Sequence, residues 1–223
     1  MAMKILDKEI KLVIFDLDGT LIASTSIWSD IDKEFFHKRG MEIPPTYGME
    51  IAHIGLAKAA ELTCSKYVKD EKPENVMKEW HDMSLDAYAN KIPLKDNAKE
   101  LLEKIASYNI PIALATANSE EIYGLCLKRL GIDKYFSYIA DVNSCKEGKG
   151  SPEIYDKIKD HFHVLREETL IFEDMLVPMT TAFKANYNVV GVYDKTSTLN
   201  ENKCKENSHL FIHNFDEIIS LIK

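Results

Sequence analysis

The short, mainly apolar run Lys11-Leu12-Val13-Ile14-Phe15 gives way at once to Asp16-Leu17-Asp18-Gly19-Thr20. A run of that kind predicts a short parallel strand, buried on both faces, that delivers carboxylates at its C-terminal end. From about Ser24 to Asn90 the spacing of apolar positions becomes helical, with no convincing strand. It predicts helices over Ser26 to Arg39, Met49 to Lys66 and Glu74 to Asn90. Pro44-Pro45 separates the first two and Lys72-Pro73 introduces the third, because proline suits the start of a helix better than its middle.

After Pro93 helix and strand alternate. Helices are predicted over Asn97 to Tyr108, Glu120 to Leu130, Pro152 to His161, Met179 to Asn186 and Phe215 to Ile222. Between them lie predicted strands over Ile110 to Ala115, Tyr135 to Val142, Thr169 to Phe172, Asn188 to Tyr193 and His209 to His213. Such alternation implies an α/β fold built on a doubly wound parallel sheet. The expected organisation is a Rossmann-like core formed by residues 1–22 and 93–223, with residues 23–92 as a small α-helical domain inserted after the first strand. No internal repeat or low-complexity tract interrupts it.

Composition narrows the function classes. The 223 residues are 45% hydrophobic and 29% charged, as expected of a compact globular chain. The net charge of -8 offers no basic face for a nucleic-acid backbone, so no nucleic-acid partner is expected. Cys64, Cys126, Cys145 and Cys204 form neither a CxxC pair nor a zinc spacing and read as reduced thiols. Neither a signal-peptide run nor an apolar stretch long enough to span a bilayer occurs, which predicts no membrane association and a cytoplasmic location. A monomer is the default for a chain of this size.

Ligands of open α/β sheets bind outside the carboxyl ends of the strands. Polar residues gather at those ends: Asp16 and Asp18 after the first strand, Thr116 and Asn118 after the second, Glu173-Asp174 after a later one. On a continuing strand Asp16 and Asp18 would face the same side. Two acids there suit Mg²⁺, which takes oxygen ligands and commonly shares itself between carboxylates, water and a substrate phosphate. Each feature alone has a plainer reading. A DxDG can cap a turn; Thr116 and Asn118 can belong to an N-cap, with Ser119 the better cap of the helix near Glu120; Glu173-Asp174 can open the next helix. Polar stations at three strand ends are poorly explained that way.

Val13 to Leu21 (VIFDLDGTL) resembles the first motif of the haloacid-dehalogenase superfamily, in the branch containing phosphoglycolate phosphatase and β-phosphoglucomutase. Ala113 to Ser119, Lys149 to Tyr155 and Ile171 to Asp174 resemble its second, third and fourth motifs in order. The helical stretch is similar in position and size to that branch's cap. The resemblance implies a Mg²⁺-dependent phosphatase acting on a small phosphorylated metabolite. Asp16 would be the nucleophile and a metal ligand; Asp18 would be the general acid and then base, its backbone carbonyl also on the metal. Thr116, the backbone N–H groups of Ala117 and Asn118, and Lys149 would bind the phosphate, with Asp174 and Glu173 completing the metal site. Two departures stand out. Met175-Leu176-Val177-Pro178 replaces the family's usual serine-like residue and glycine, and Gly150 replaces the proline after the lysine, which predicts a looser loop around Lys149.

Ser24, Trp28, His53 and Lys58 are the candidates of the helical stretch for facing the site. Competing functions are a phosphosugar mutase of the β-phosphoglucomutase type, disfavoured by Thr20, and a non-catalytic binding protein on the same fold. Dehalogenation would leave Asp18 and Asp174 without a purpose.

Overall fold

A computed structural model describes residues 3–51, 54–195 and 200–223. His53, one of the candidates above, lies outside the described residues. The chain opens with a hairpin, β1 (Met3–Ile5) against β2 (Lys8–Ile10), and then enters the central strand β3 (Leu12–Phe15). Four helices follow: α1 (Thr25–His37), α2 (Tyr47–Ile51), α3 (Leu56–Lys66) and α4 (Pro73–Asn90). The remainder runs α5 (Ala98–Ala106), β4 (Ile112–Thr116), α6 (Glu120–Leu130), β5 (Phe136–Asp141), α7 (Glu153–His161), β6 (Thr169–Glu173), α8 (Leu176–Lys184), β7 (Asn188–Val192), α9 (Glu201–Glu206), β8 (Leu210–Ile212) and α10 (Asp216–Ile219).

The main sheet has six strands in the order β5-β4-β3-β6-β7-β8, every neighbouring pair parallel. The chain first builds outward from β3 through β4 to β5, then returns to the other side of β3 and builds through β6 to β8. The order therefore reverses between β3 and β6, and a crevice is expected at the C-terminal ends of those two strands. The doubly wound fold expected from the sequence is the one formed.

Side-chain alternation divides the core into two layers. Val13, Phe15, Leu114 and Phe172 face one cluster with Leu101, Leu102 and Ile105 of α5 and Ile122 and Leu127 of α6. Leu12, Ile14, Ala113, Ala115 and Ile171 face the other, with Ile154, Tyr155 and Ile158 of α7 and Met179 of α8. Burial on both faces explains why β3, β4 and β6 read as continuous apolar runs. The helical insert has its own cluster, in which Phe35, Phe36, Tyr47, Val76 and Trp80 pack together. The chain leaves and rejoins the core at adjacent points: Ala23 N–H donates to the Pro93 carbonyl at 3.0 Å, and Lys95 N–H to the Leu21 carbonyl at 2.9 Å.

Three features differ from the sequence expectation. The β1–β2 hairpin and the short helix α9 were not anticipated. The helix expected over Met49 to Lys66 is two helices, because Gly55 takes a positive φ of +80° between α2 and α3. A side chain there would also meet Val142, since an added Cβ lies 2.7 Å from its Cγ2.

Candidate active site

β3 stops at Phe15, and Asp16 continues the parity of Leu12 and Ile14 toward the layer of α7 and α8. Its backbone N–H donates to the Phe172 carbonyl of β6 at 3.0 Å, which fixes it at the sheet reversal. Lys149, in the turn before α7, donates to Asp16 Oδ1 and, at 2.6 Å, to Glu173 Oε1. Lys149 is only 3% exposed and Glu173 1%. Burial alone would lower the Lys149 pKa, but Asp16 and Glu173 outweigh it and hold the lysine above its ordinary value. The loop expected to be loose thus delivers a lysine gripped by two carboxylates.

Glu173 is the most fully engaged acid. Tyr155 donates to its Oε1 at 3.3 Å, and the backbone N–H groups of Asp174 and Met175 donate to its Oε2 at 3.2 and 3.4 Å. Asp16 is the opposite case: Oδ2 is buried without any hydrogen-bond partner. Asp174 receives one hydroxyl, from Thr20 at 3.3 Å. Gly19, with φ +77°, makes room for it, since a Cβ there would lie 2.3 Å from Asp174 Oδ2. The turn glycine after the two acids therefore serves the fourth motif as well as the first.

Asp16, Glu173 and Asp174 each bring a carboxylate oxygen to within 4.8 Å of the others. Burial pushes Glu173 and Asp174 above the usual carboxylate range, and Asp16 adds to the effect. One lysine does not balance this charge. An orphaned carboxylate oxygen in an all-oxygen, buried cluster fits a hard divalent cation, which would satisfy Asp16 Oδ2 and favour the ionised acids.

Asp18 lies beyond the end of the strand and has other partners than Asp16. Tyr88 of α4 donates its phenol to Asp18 Oδ1, and Asn118 donates its side-chain amide to Oδ2. Burial first, and the Asp16 charge second, push its carboxyl up to about 6. Thr116 keeps the parity of Ile112 and Leu114 at the end of β4, and its hydroxyl accepts the Asn118 N–H at 3.1 Å. Ala117 follows it between β4 and α6. Ser119 does stand at the N-cap of α6, but its buried hydroxyl makes no capping bond.

All the described core candidates therefore meet around the C-terminal ends of β3, β4 and β6. The insert's candidates diverge. Trp28 donates to the Tyr88 hydroxyl at 2.7 Å, the buried Ser24 hydroxyl lies beside Asp18 and favours its charged form, and the exposed Lys58 donates to the Lys146 carbonyl on the core. Tyr88, Tyr155 and the Asn118 amide side chain are neighbours that sequence reasoning did not assign. Tyr88 lies seventy positions from Asp18, and no local signal joins them.

Residues 13–192 match the family described as haloacid dehalogenase-like hydrolase. The chain belongs to the haloacid dehalogenase-like hydrolases. It is 27% identical to a phosphorylated carbohydrates phosphatase of Thermotoga maritima over 95% of this chain and 97% of that one. A phosphoglycolate phosphatase of Photorhabdus laumondii is 24% identical over all of this chain and 96% of its own. The crystal structure of a β-phosphoglucomutase from Clostridium difficile superposes with a TM-score of 0.77 over 94% of this chain and 93% of that one, at 23% identity, and so shares the fold. This haloacid dehalogenase-like hydrolase is an enzyme in which a buried acidic cluster, a buried lysine and a separately held second aspartate lie at the sheet reversal. Among its described residues no helix is long and apolar enough to cross a membrane.

Proposed function

We propose that the protein is a Mg²⁺-dependent phosphatase that hydrolyses a small phosphate monoester through a phosphorylated Asp16. The observation that carries this reading is the Asp16 carboxylate, buried at the sheet reversal with one oxygen held by Lys149 and the other unpartnered. A side chain so placed is a nucleophile awaiting an electrophile and a cation, rather than a member of a satisfied structural network.

Asp16 attacks phosphorus and forms the acyl phosphate while the P–O bond to the leaving group breaks. Asp18 gives that departing oxygen a proton. It then takes a proton from the water that attacks the phosphoaspartate, releasing inorganic phosphate and restoring both carboxyl groups. A carboxyl near pKa 6 can serve in both directions at neutral pH. Lys149, the Thr116 hydroxyl and the backbone N–H groups of Ala117 and Asn118 bind phosphate oxygens, Asn118 N–H exchanging its internal bond to Thr116 for the substrate. Asp16, Asp174 and the Asp18 carbonyl would hold Mg²⁺, with Glu173 of the same cluster a ligand directly or through water while it also orients Lys149. When bound, the ion would supply neutralisation of phosphoryl charge.

Residues 23–92 act as a cap over a core of residues 1–22 and 93–223, excluding water and selecting the leaving group. The curated relatives named as phosphatases support hydrolysis over phosphoryl return to a sugar. The test is turnover of p-nitrophenyl phosphate with and without Mg²⁺. Metal-dependent hydrolysis that disappears in Asp16→Asn is the expected result. An inactive wild type across a broad panel of esters would overturn the reading, as would an Asp16→Asn variant that keeps its rate.

A further inference from the structure

We propose that Tyr88 is a positioning residue for Asp18, so that the helical insert supplies the group that aims the acid–base carboxyl. This rests on the role given to Asp18 above.

The hydrogen-bond directions leave little freedom. An indole N–H can only donate, so Trp28, 2.7 Å from the Tyr88 oxygen, must occupy an acceptor position there. The Asn118 amide also points a donor at that oxygen, at 3.2 Å. The phenol has one proton, and Asp18 Oδ1 is its remaining acceptor. When Asp18 is ionised, Asn118 presents its NH₂ to Asp18 Oδ2, since its carbonyl would then face a carboxylate with no donor. Both oxygens of Asp18 are thus oriented, one from the insert and one from the loop after β4.

The insert's end is itself fixed. Arg129 of α6 donates to the Tyr88 carbonyl at 3.2 Å and to the Ile92 carbonyl at 2.5 Å, tying the last turn of α4 to the core. The Tyr88 ring is fully buried, with the Trp28 ring centroid 6.0 Å away. A tyrosine that only filled space would not need its hydroxyl bracketed by two donors and an acidic acceptor. The chain Trp28–Tyr88–Asp18 makes the aim of the carboxyl depend on α1 and α4 being seated.

The test compares kcat/KM for phenyl phosphate and p-nitrophenyl phosphate, with Mg²⁺, for wild type, Tyr88→Phe, Trp28→Phe and Asp18→Asn. p-Nitrophenolate leaves with little need of a proton, whereas phenolate is a poorer leaving group that gains from one. A positioned acid is worth about a hundredfold or more, so mis-aiming it should raise the ratio of p-nitrophenyl to phenyl phosphate by roughly tenfold in Tyr88→Phe. Trp28→Phe should raise it by a smaller factor. In an Asp18→Asn background Tyr88→Phe should change the ratio no further, because the two act through one group. A uniform fall for both esters, or an unchanged ratio, would reduce Tyr88 to packing and overturn the proposal. If Asp18→Asn itself leaves the ratio unchanged, or the wild type hydrolyses neither ester, the assignment of Asp18 fails and the proposal fails with it. A raised ratio in Asp18→Asn without one in Tyr88→Phe removes the proposal alone.

Discussion

Buried carboxylates meet opposite circumstances in the two parts of this chain. In the core, Asp16 and Glu173 share a buried lysine, Asp174 has a hydroxyl, and a cation can complete the set. In the insert, Asp32 of α1 is buried with no hydrogen bond or ion pair to the described residues, and burial alone pushes its carboxyl up to about 7. The core concentrates acids where their charge can be used, whereas the insert carries one whose charge is only a cost. The difference separates chemistry from packing: a perturbed acid marks a reactive site when other groups converge on it, and not otherwise.

That contrast can be broken most forcefully at Lys149. Lys149→Met should lower phosphatase turnover by at least about a hundredfold, the size of effect seen when one donor to a developing anion is removed. It should also cost several kcal/mol of stability, roughly 3–5, by leaving two buried carboxylates unpaired, provided no cation replaces the charge. Added Mg²⁺ should recover part of the melting temperature and little of the rate; full recovery of rate would show that the lysine is only a counter-charge. Next in size, Asp174→Asn should raise the Mg²⁺ concentration for half-activation by about tenfold or more, since even outer-layer partners of metal ligands are worth that much. A metal titration that does not move would remove Asp174 from the cation site.

Gly19→Ala should be milder. It strains a backbone at φ +77° and presses on Asp174, for a cost of about 1–3 kcal/mol together with weaker Mg²⁺ activation. Stability loss without a metal effect would separate the turn from the cation site. Asp32→Asn should be the smallest change and should act through pH alone. Because its folded pKa is raised, Asp32 favours the folded state at acid pH relative to its charged form, and that advantage is lost as pH climbs from the ordinary carboxylate range through about 7. The neutral amide should therefore gain on the acid by roughly 2–3 kcal/mol between pH 5 and pH 8, at about 1.4 kcal/mol per unit of pH up to the folded pKa, read from thermal unfolding. A constant difference across that range would mean that Asp32 has a partner for its charge.

The core was legible because two signals coincide in it. Strands buried on both faces give unbroken apolar runs, and the residues that end those runs are the ones the sheet brings together: Asp16, Asp18, Thr116, Asn118, Glu173 and Asp174. The hairpin was not legible because its turn residues Leu6 and Asp7 hold positive φ of 54° and 60° without a glycine to announce it. The break between α2 and α3 was signalled only by Gly55, which a helical spacing can absorb on paper. In the insert, periodicity revealed helices but not which side chains reach the core. Trp28 was singled out from the sequence; Tyr88, its link to Asp18, was not, because positions 18, 28, 88 and 118 become neighbours only after both parts have folded.

In the proposed reaction the phosphoryl group passes through Asp16. Rapid acid quenching of the enzyme during turnover of p-nitrophenyl phosphate with Mg²⁺, followed by peptide mapping by mass spectrometry, tests it directly. One phosphoryl group is expected on the peptide bearing Asp16, at higher occupancy in Asp18→Asn, where the water that clears it has lost its base. Product formation with no phosphoryl group at Asp16 in either protein, or with one on a different residue, would contradict it.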